Sequence, residues 1–251
     1  MAIPMSKLLI TVALFVILFA GIGPLPAQAA TACDLTPQVA ELQAVHQNTS
    51  FDEIEYLNAE IFARRKLLAA TIECDLADIA ARVEAFSQMP DQIKLVPAYQ
   101  GILEKLAESS QYYVKQRTVT QNLGLRDLKT AARAISDWRR TTHIPTITWA
   151  DNFLIWADNQ QFLEKASERL SQVSRVAFSL KLVNQGEINE LFEKAKKNFD
   201  TAFAENDRAR NALNQERPVL ALAHIQTSLK ALADTYQVFF TLQETLQRIV
   251  K

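Results

Sequence analysis

Three histidines, two cysteines and three tryptophans carry the most specific chemistry available to this 251-residue chain. A metal site inside a helical bundle needs Glu-x-x-His, or a second His or carboxylate one turn away, so that two donors share a helix face. His46, His143 and His224 have no Glu or Asp three positions before them, and His46 and His224 have no ligand type at i±4. No C-x-x-C-H run offers covalent haem attachment. G-x-S-x-G, the Walker loop, H-E-x-x-H and the dinucleotide fingerprint are all missing from the chain. Carboxylates alternate with Lys and Arg, as Glu190, Glu193, Lys194 and Lys197 do, which is the pattern of a solvated helix face. The expectation is therefore a protein without metal, cofactor or catalytic machinery.

The two cysteines are read together with the segment that precedes them. Lys7 is the only charge before the apolar run Leu8–Ile22, and Pro24, Pro26 and Ala27-Gln28-Ala29 follow. This is the positive start, apolar middle and small-residue cleavage site of a secretory signal peptide, with cleavage expected after Ala29. The run is 15 residues, short of the roughly 20 that a spanning helix needs, so membrane contact is expected only in transit. Lipidation at Cys33 is disfavoured, because Ala30 stands at −3 and a Pro/Ala-rich stretch separates the Cys from the apolar run. An exported protein, periplasmic, envelope-associated or secreted, keeps an even pair of cysteines as a disulfide. Folding a hairpin about residue 49 brings Cys33 opposite about residue 70, one helical turn short of Cys74. A Cys33–Cys74 bridge would contribute about 3–4 kcal/mol through the loop that it closes. The competing reading is two unpaired thiols.

All three tryptophans crowd one stretch: Trp138, Trp149 and Trp156, beside Arg139, Arg140 and His143. Rings with neighbouring cations make a platform for a glycan or an anionic ligand. The same rings can instead fill a bundle core, and Trp149, Phe153 and Trp156 are in phase with an apolar helix face, which favours core packing. Two smaller features stand out. Arg64-Arg65-Lys66 interrupts the apolar face between Ile61 and Leu68, either to receive a partner's carboxylates or to pair Arg64 with a carboxylate of a neighbouring helix. Asn48-Thr49-Ser50 is a glycosylation sequon, relevant only on a eukaryotic secretory route.

The elements that must position these residues are helices. After residue 30 the apolar positions recur every three or four residues almost throughout. Thr36-Pro37 reads as N-cap and first turn of a short helix, and Ser50-Phe51-Asp52-Glu53 as a capping box opening a helix of about 35 residues that Pro90 ends. Its expected core face is Ile54, Leu57, Ile61, Leu68, Ile72, Leu76, Ile79, Val83 and Phe86. Helices follow from Pro97 to about Gln121 and from Leu125 to His143, the last closed by its cations. Ile144-Pro145-Thr146-Ile147 has extended character, and Thr148 opens the next helix, which ends at Asn184-Gln185-Gly186. A sixth runs from Ile188 to Leu213. After Pro218 the positions Leu222, Ile225, Leu229, Leu232, Tyr236, Phe239, Gln243, Leu246 and Ile249 form a heptad seam, with Gln243 as a register device.

Short joints and helices of about 45–55 Å give an elongated antiparallel all-α bundle of about six helices with coiled-coil-like packing. Residues 30–143 form an N-terminal helical region and 144–251 a C-terminal long-helix bundle, separate or continuous with it. With 27 basic against 28 acidic residues, a net charge of −1 leaves no electrostatic footprint for nucleic acid. The expected function is non-catalytic: a structural or interaction role in the envelope or secreted fraction, with a protein partner met through helical surfaces. The alternative is a small-ligand or glycan binder using residues 138–156.

Overall fold

A computed structural model describes residues 33–179 and 186–250, and within them the chain is all-α, a bundle of helices and turns with no strand. The expected leader, the expected cleavage site at Ala29, and Asn184-Gln185 lie outside the described residues. The helices are α1 (Thr36–Gln47), α2 (Glu53–Ser87), the single turn α3 (Asp91–Lys94), α4 (Pro97–Thr120), α5 (Leu125–Trp138), α6 (Ile144–Ser179), α7 (Gly186–Asn214) and α8 (Pro218–Val250).

Local chemistry sets the first two starts, each displaced from its expected residue. Thr36 does not cap α1: Leu35 is the N-cap, Thr36 is already helical, and its N–H donates to Asp34 Oδ1 at 2.9 Å. Ser50 does not open α2 either. Its N–H donates to Asn48 Oδ1, while the capping box belongs to Asp52 and Glu55, each side chain accepting the other's backbone N–H. A carboxylate there satisfies a free N–H and meets the positive end of the helix dipole. The α1–α2 hairpin is closed at its far end by the Cys33–Cys74 disulfide, with Cα atoms 5.7 Å apart. None of the residues of α1 is buried, so this bridge and the Glu41–Lys66 ion pair (2.5 Å) are main ties holding it to α2.

The expected extended joint at Ile144–Ile147 is helical. Between α5 and α6 the chain makes a π-helical turn, Arg139–His143, in which Ile144 N–H donates to Arg139 O five residues back. One helical path therefore runs from Leu125 to Ser179. Pro145 has no N–H to give, and its ring crowds the preceding turn; one wider turn accommodates it without ending the helix. Threonines, normally poor helix formers, are held by their own hydroxyls: Thr141, Thr146 and Thr148 each donate to the carbonyl four residues back at 2.8 Å. Thr148 is thus an interior residue, not a cap, and Arg139, Arg140 and His143 do not terminate a helix. The largest core cluster takes side chains from both sides of this turn, from Leu68 and Ile79 to Trp156 and Ile225.

At the other end α7 and α8 form an antiparallel hairpin. Its turn places Glu216 at φ 56°, the left-handed position that ends α7, with Arg217 N–H returning to Ala212 O. The seam of α8 is turned by one residue from the expected heptad. Ile225, Leu232 and Phe239 are buried as expected, but the alternate row is Ala221, Ser228, Thr235 and Leu242 in place of Leu222, Leu229, Tyr236 and Gln243. Leu246 and Ile249 fall outside the described side chains. The cause lies on α7, which presents Ile188, Ala195, Ala202 and Ala209 at intervals of seven, all buried. Small residues facing small residues let the backbones approach, and Ser228 Oγ donates to Ala202 O at 2.6 Å across the pair. Leu229 and Tyr236 then flank the seam, packed against core clusters and partly buried.

Candidate functional site

Trp149 and Trp156 point inward from α6. Each indole N–H donates to a backbone carbonyl of α7, Trp149 to Leu213 at 3.0 Å and Trp156 to Asn206 at 3.1 Å. Trp149 also lies against α4, where a Cβ on Gly101 would come within 3.1 Å of its Cη2 atom. Both rings are buried and hold α6 to its neighbours. Trp138 stands apart from them, half-buried on α5 and stacked on Tyr112 with centroids 4.2 Å apart. Arg140 is exposed and pairs with Asp137. The six residues of the tryptophan-rich stretch therefore do not share one open surface.

Arg139 and His143 instead meet a residue that sequence reasoning passed over. Asp75 of α2 is only 3% exposed, and the wide turn aims two side chains at it. Arg139 Nε lies 2.9 Å from its Oδ2 and 3.1 Å from its Oδ1; His143 Nε2 lies 3.6 Å from Oδ1. Tyr113 of α4 completes the group, its ring edge-on to His143 with centroids 5.3 Å apart. Burial holds the His143 imidazole below the usual histidine range, against the opposing pull of Asp75. Burial pushes the Tyr113 hydroxyl far above the usual tyrosine range, and the charge of Asp75 adds to that. Carboxylate, imidazole and phenol are ingredients of proton transfer. Here all three are buried, and Arg139 is the half-exposed member that connects them to the surface.

A second buried carboxylate repeats the device. Glu60 of α2 is 5% exposed and receives Arg64 Nε at 2.7 Å, with Lys129 of α5 at 3.7 Å and His46 of α1 at 3.8 Å. Burial raises its pKa, but Arg64 foremost, and then Lys129, bring it below the usual glutamate range. Arg64 thus pairs within its own helix and not with a neighbouring one. Arg65 crosses to the carbonyl of Leu123 just ahead of α5, at 2.6 Å from Nη2, and Lys66 reaches Glu41 of α1.

Between the two arginines runs an open groove of about 220 Å3 along α2 and α5. Its floor is mostly apolar, formed by Leu67, Leu68, Leu128, Ala132 and Ile135 with the hydroxyls of Thr71 and Ser136 among them; Arg64 and Lys129 stand at one end and Arg139 at the other. One heptad before Ile61 and Arg64, the side chains of Ile54 and Leu57 are exposed rather than in the core as expected, and Val83 is exposed as well.

Each histidine faces a carboxylate that the sequence separates from it, the third being His224, whose Nδ1 lies 2.7 Å from Glu205 Oε2. Among the described residues no group of three His, Cys, Asp or Glu side chains is arranged to hold a metal ion. A legible signal existed for Asp75: it sits between Ile72 and Ile79 at spacings of three and four, in phase with the core. No family model, curated protein or solved structure matches this chain.

Proposed function

We propose that this is an exported, non-catalytic helical-bundle protein of the envelope or secreted fraction that works by receiving a protein partner on its helical surface. The observation that carries this reading is the first half of α2 and the residue just ahead of its cap, where Ile54, Leu57 and Phe62, with Phe51, are exposed, Ile54 at 72% and Phe62 at 63%. Large apolar side chains grouped on one exposed stretch mark an interaction surface more often than chance. The Cys33–Cys74 bridge supports the exported part of the reading, since such bonds persist in oxidising compartments.

The test is crosslinking and affinity capture from envelope extracts with the native protein and an Ile54→Asp/Phe62→Asp variant. A partner held by the native chain and lost by the folded variant is the expected result. Repeated recovery of the protein alone would overturn the reading. Intact-mass measurement of natively produced protein checks export, through loss of residues 1–29 and of two hydrogens.

A further inference from the structure

The groove between α2 and α5 has a chemistry that specifies its occupant. The two helices run parallel here: Lys129 lies by Glu60 and, further along both, Arg139 lies by Asp75. Arg64 and the Asp75 that holds Arg139 are eleven residues apart on α2, and Lys129 of α5 and Arg139 at the start of the π-helical turn are ten apart on one helical path. That separates the cationic ends by about 15 Å. Each arginine is fixed through Nε to a buried carboxylate, and its outer nitrogens carry no other partner among the described residues. A guanidinium held in this way is pre-oriented to receive a second carboxylate on its free edge. Three cations face two buried carboxylates, so the groove holds an excess of positive charge over a mostly apolar floor. Its volume lies below the roughly 300–1,000 Å3 of pockets that enclose small ligands, and it lies open along its length.

We propose that this groove docks an amphipathic helix of a partner protein, one bearing an apolar stripe and, on the same face, carboxylates eleven residues apart. Eleven residues of helix make about three turns and rise about 16 Å, which matches the span between Arg64/Lys129 and Arg139 and returns to the same face. The apolar stripe lies on Leu67, Leu128 and Ala132, where the small Ala132 side chain leaves room at mid-groove. Exposed Leu57, one heptad before Arg64, extends the apolar track beyond the groove. This proposal rests on the partner-binding reading above and adds the place and the chemistry of recognition.

The probe is an 18-residue helical peptide with leucines at i, i+3, i+4 and i+7 and glutamates eleven residues apart, compared with its lysine counterpart. Anisotropy titration on the full mature protein should show saturable binding of the glutamate peptide only. Lys129→Gln should weaken it on the order of tenfold and steepen no salt dependence; Ala132→Trp, which fills the groove, should abolish it; Arg140→Gln, outside the groove, should leave it unchanged. Thermal melts confirm that each variant is folded. No binding of the glutamate peptide, equal binding of the lysine peptide, or binding that survives Ala132→Trp each overturns the proposal. Capture from extracts separates the two readings. A partner held equally by native protein and Ala132→Trp sinks the groove alone, whereas no partner for either sinks the interaction reading itself.

Discussion

Lowering the pH from 6.5 to 5.0 should destabilise this protein through one side chain, His143. In the fold its imidazole is buried at the wide turn, facing Asp75, Asp78 and Arg82 of α2, Tyr113 of α4 and Arg139 of its own turn. Burial opposes its charge more strongly than Asp75 favours it, so the folded pKa lies below the unfolded one. A histidine of that kind binds its proton first in the unfolded chain. Its contribution is intact above the unfolded value of about 6.5 and is lost as pH falls below it. The loss is bounded at about 1.4 kcal/mol per pH unit, hence about 2 kcal/mol by pH 5.0, a sizeable share of a typical 5–15 kcal/mol. Urea unfolding of the native protein and of His143→Gln at pH 7.0, 6.0 and 5.0 isolates the term, because the other titrating groups are common to both. The native protein should lose stability relative to the variant as the pH falls. If the difference stays flat or grows in the native protein's favour, Asp75 outweighs burial and the reasoning fails. Tyr113 predicts the opposite limb: its pKa is raised, so stability should fall again above about pH 10, and Tyr113→Phe should flatten that limb.

Replacing Cys33 with Ser and Cys74 with Ala should cost about 3–4 kcal/mol. The effect should be local as well, with amides of Thr36–Gln47 exchanging faster while those of Pro97–Thr120 keep their protection, since α1 buries no residue of its own. Glu216→Gly should stabilise by about 1 kcal/mol, raising Tm by roughly 2–4 °C, because only glycine takes a φ of 56° without strain. Ala202→Leu, at the fully buried centre of the α7–α8 seam, should cost about 2–3 kcal/mol in urea unfolding; a neutral result would mean that the helices do not need their close approach.

Much of the architecture was legible because helices declare themselves locally. The bounds of α2 and α4 follow from apolar spacing, a proline start and a turn, all within a few residues of one another. The pairing of Cys33 with Cys74 came from hairpin arithmetic on the same local terms. Where the reading failed, a distant residue decided the outcome. Pro145 and its threonines favour a break, yet a single wide turn and hydroxyls bonded four residues back keep the helix going. The seam of α8 is set by the alanines of α7, and a heptad count along α8 alone favours its larger residues, Leu222 and Leu229. The site suffered most. His143 and Asp75 are 68 positions apart, His46 and Glu60 belong to two helices, and the groove exists only once α5 lies parallel to α2. Asp75 alone left a trace, a charge standing where the core period calls for an apolar side chain.

The disulfide has a consequence for the order in which this molecule is assembled. Its two cysteines are the only ones in the chain and stand 41 positions apart. Both, with the whole turn between them, exist in a growing polypeptide before any residue of α4 to α8 has been added. One internal pairing is available, so there is no wrong partner to undo and no need for an isomerase to reshuffle bonds. On the exported reading, the crosslink can close as soon as α1 and the first part of α2 reach an oxidising compartment, a clasp on a hairpin that does not wait for the later helices.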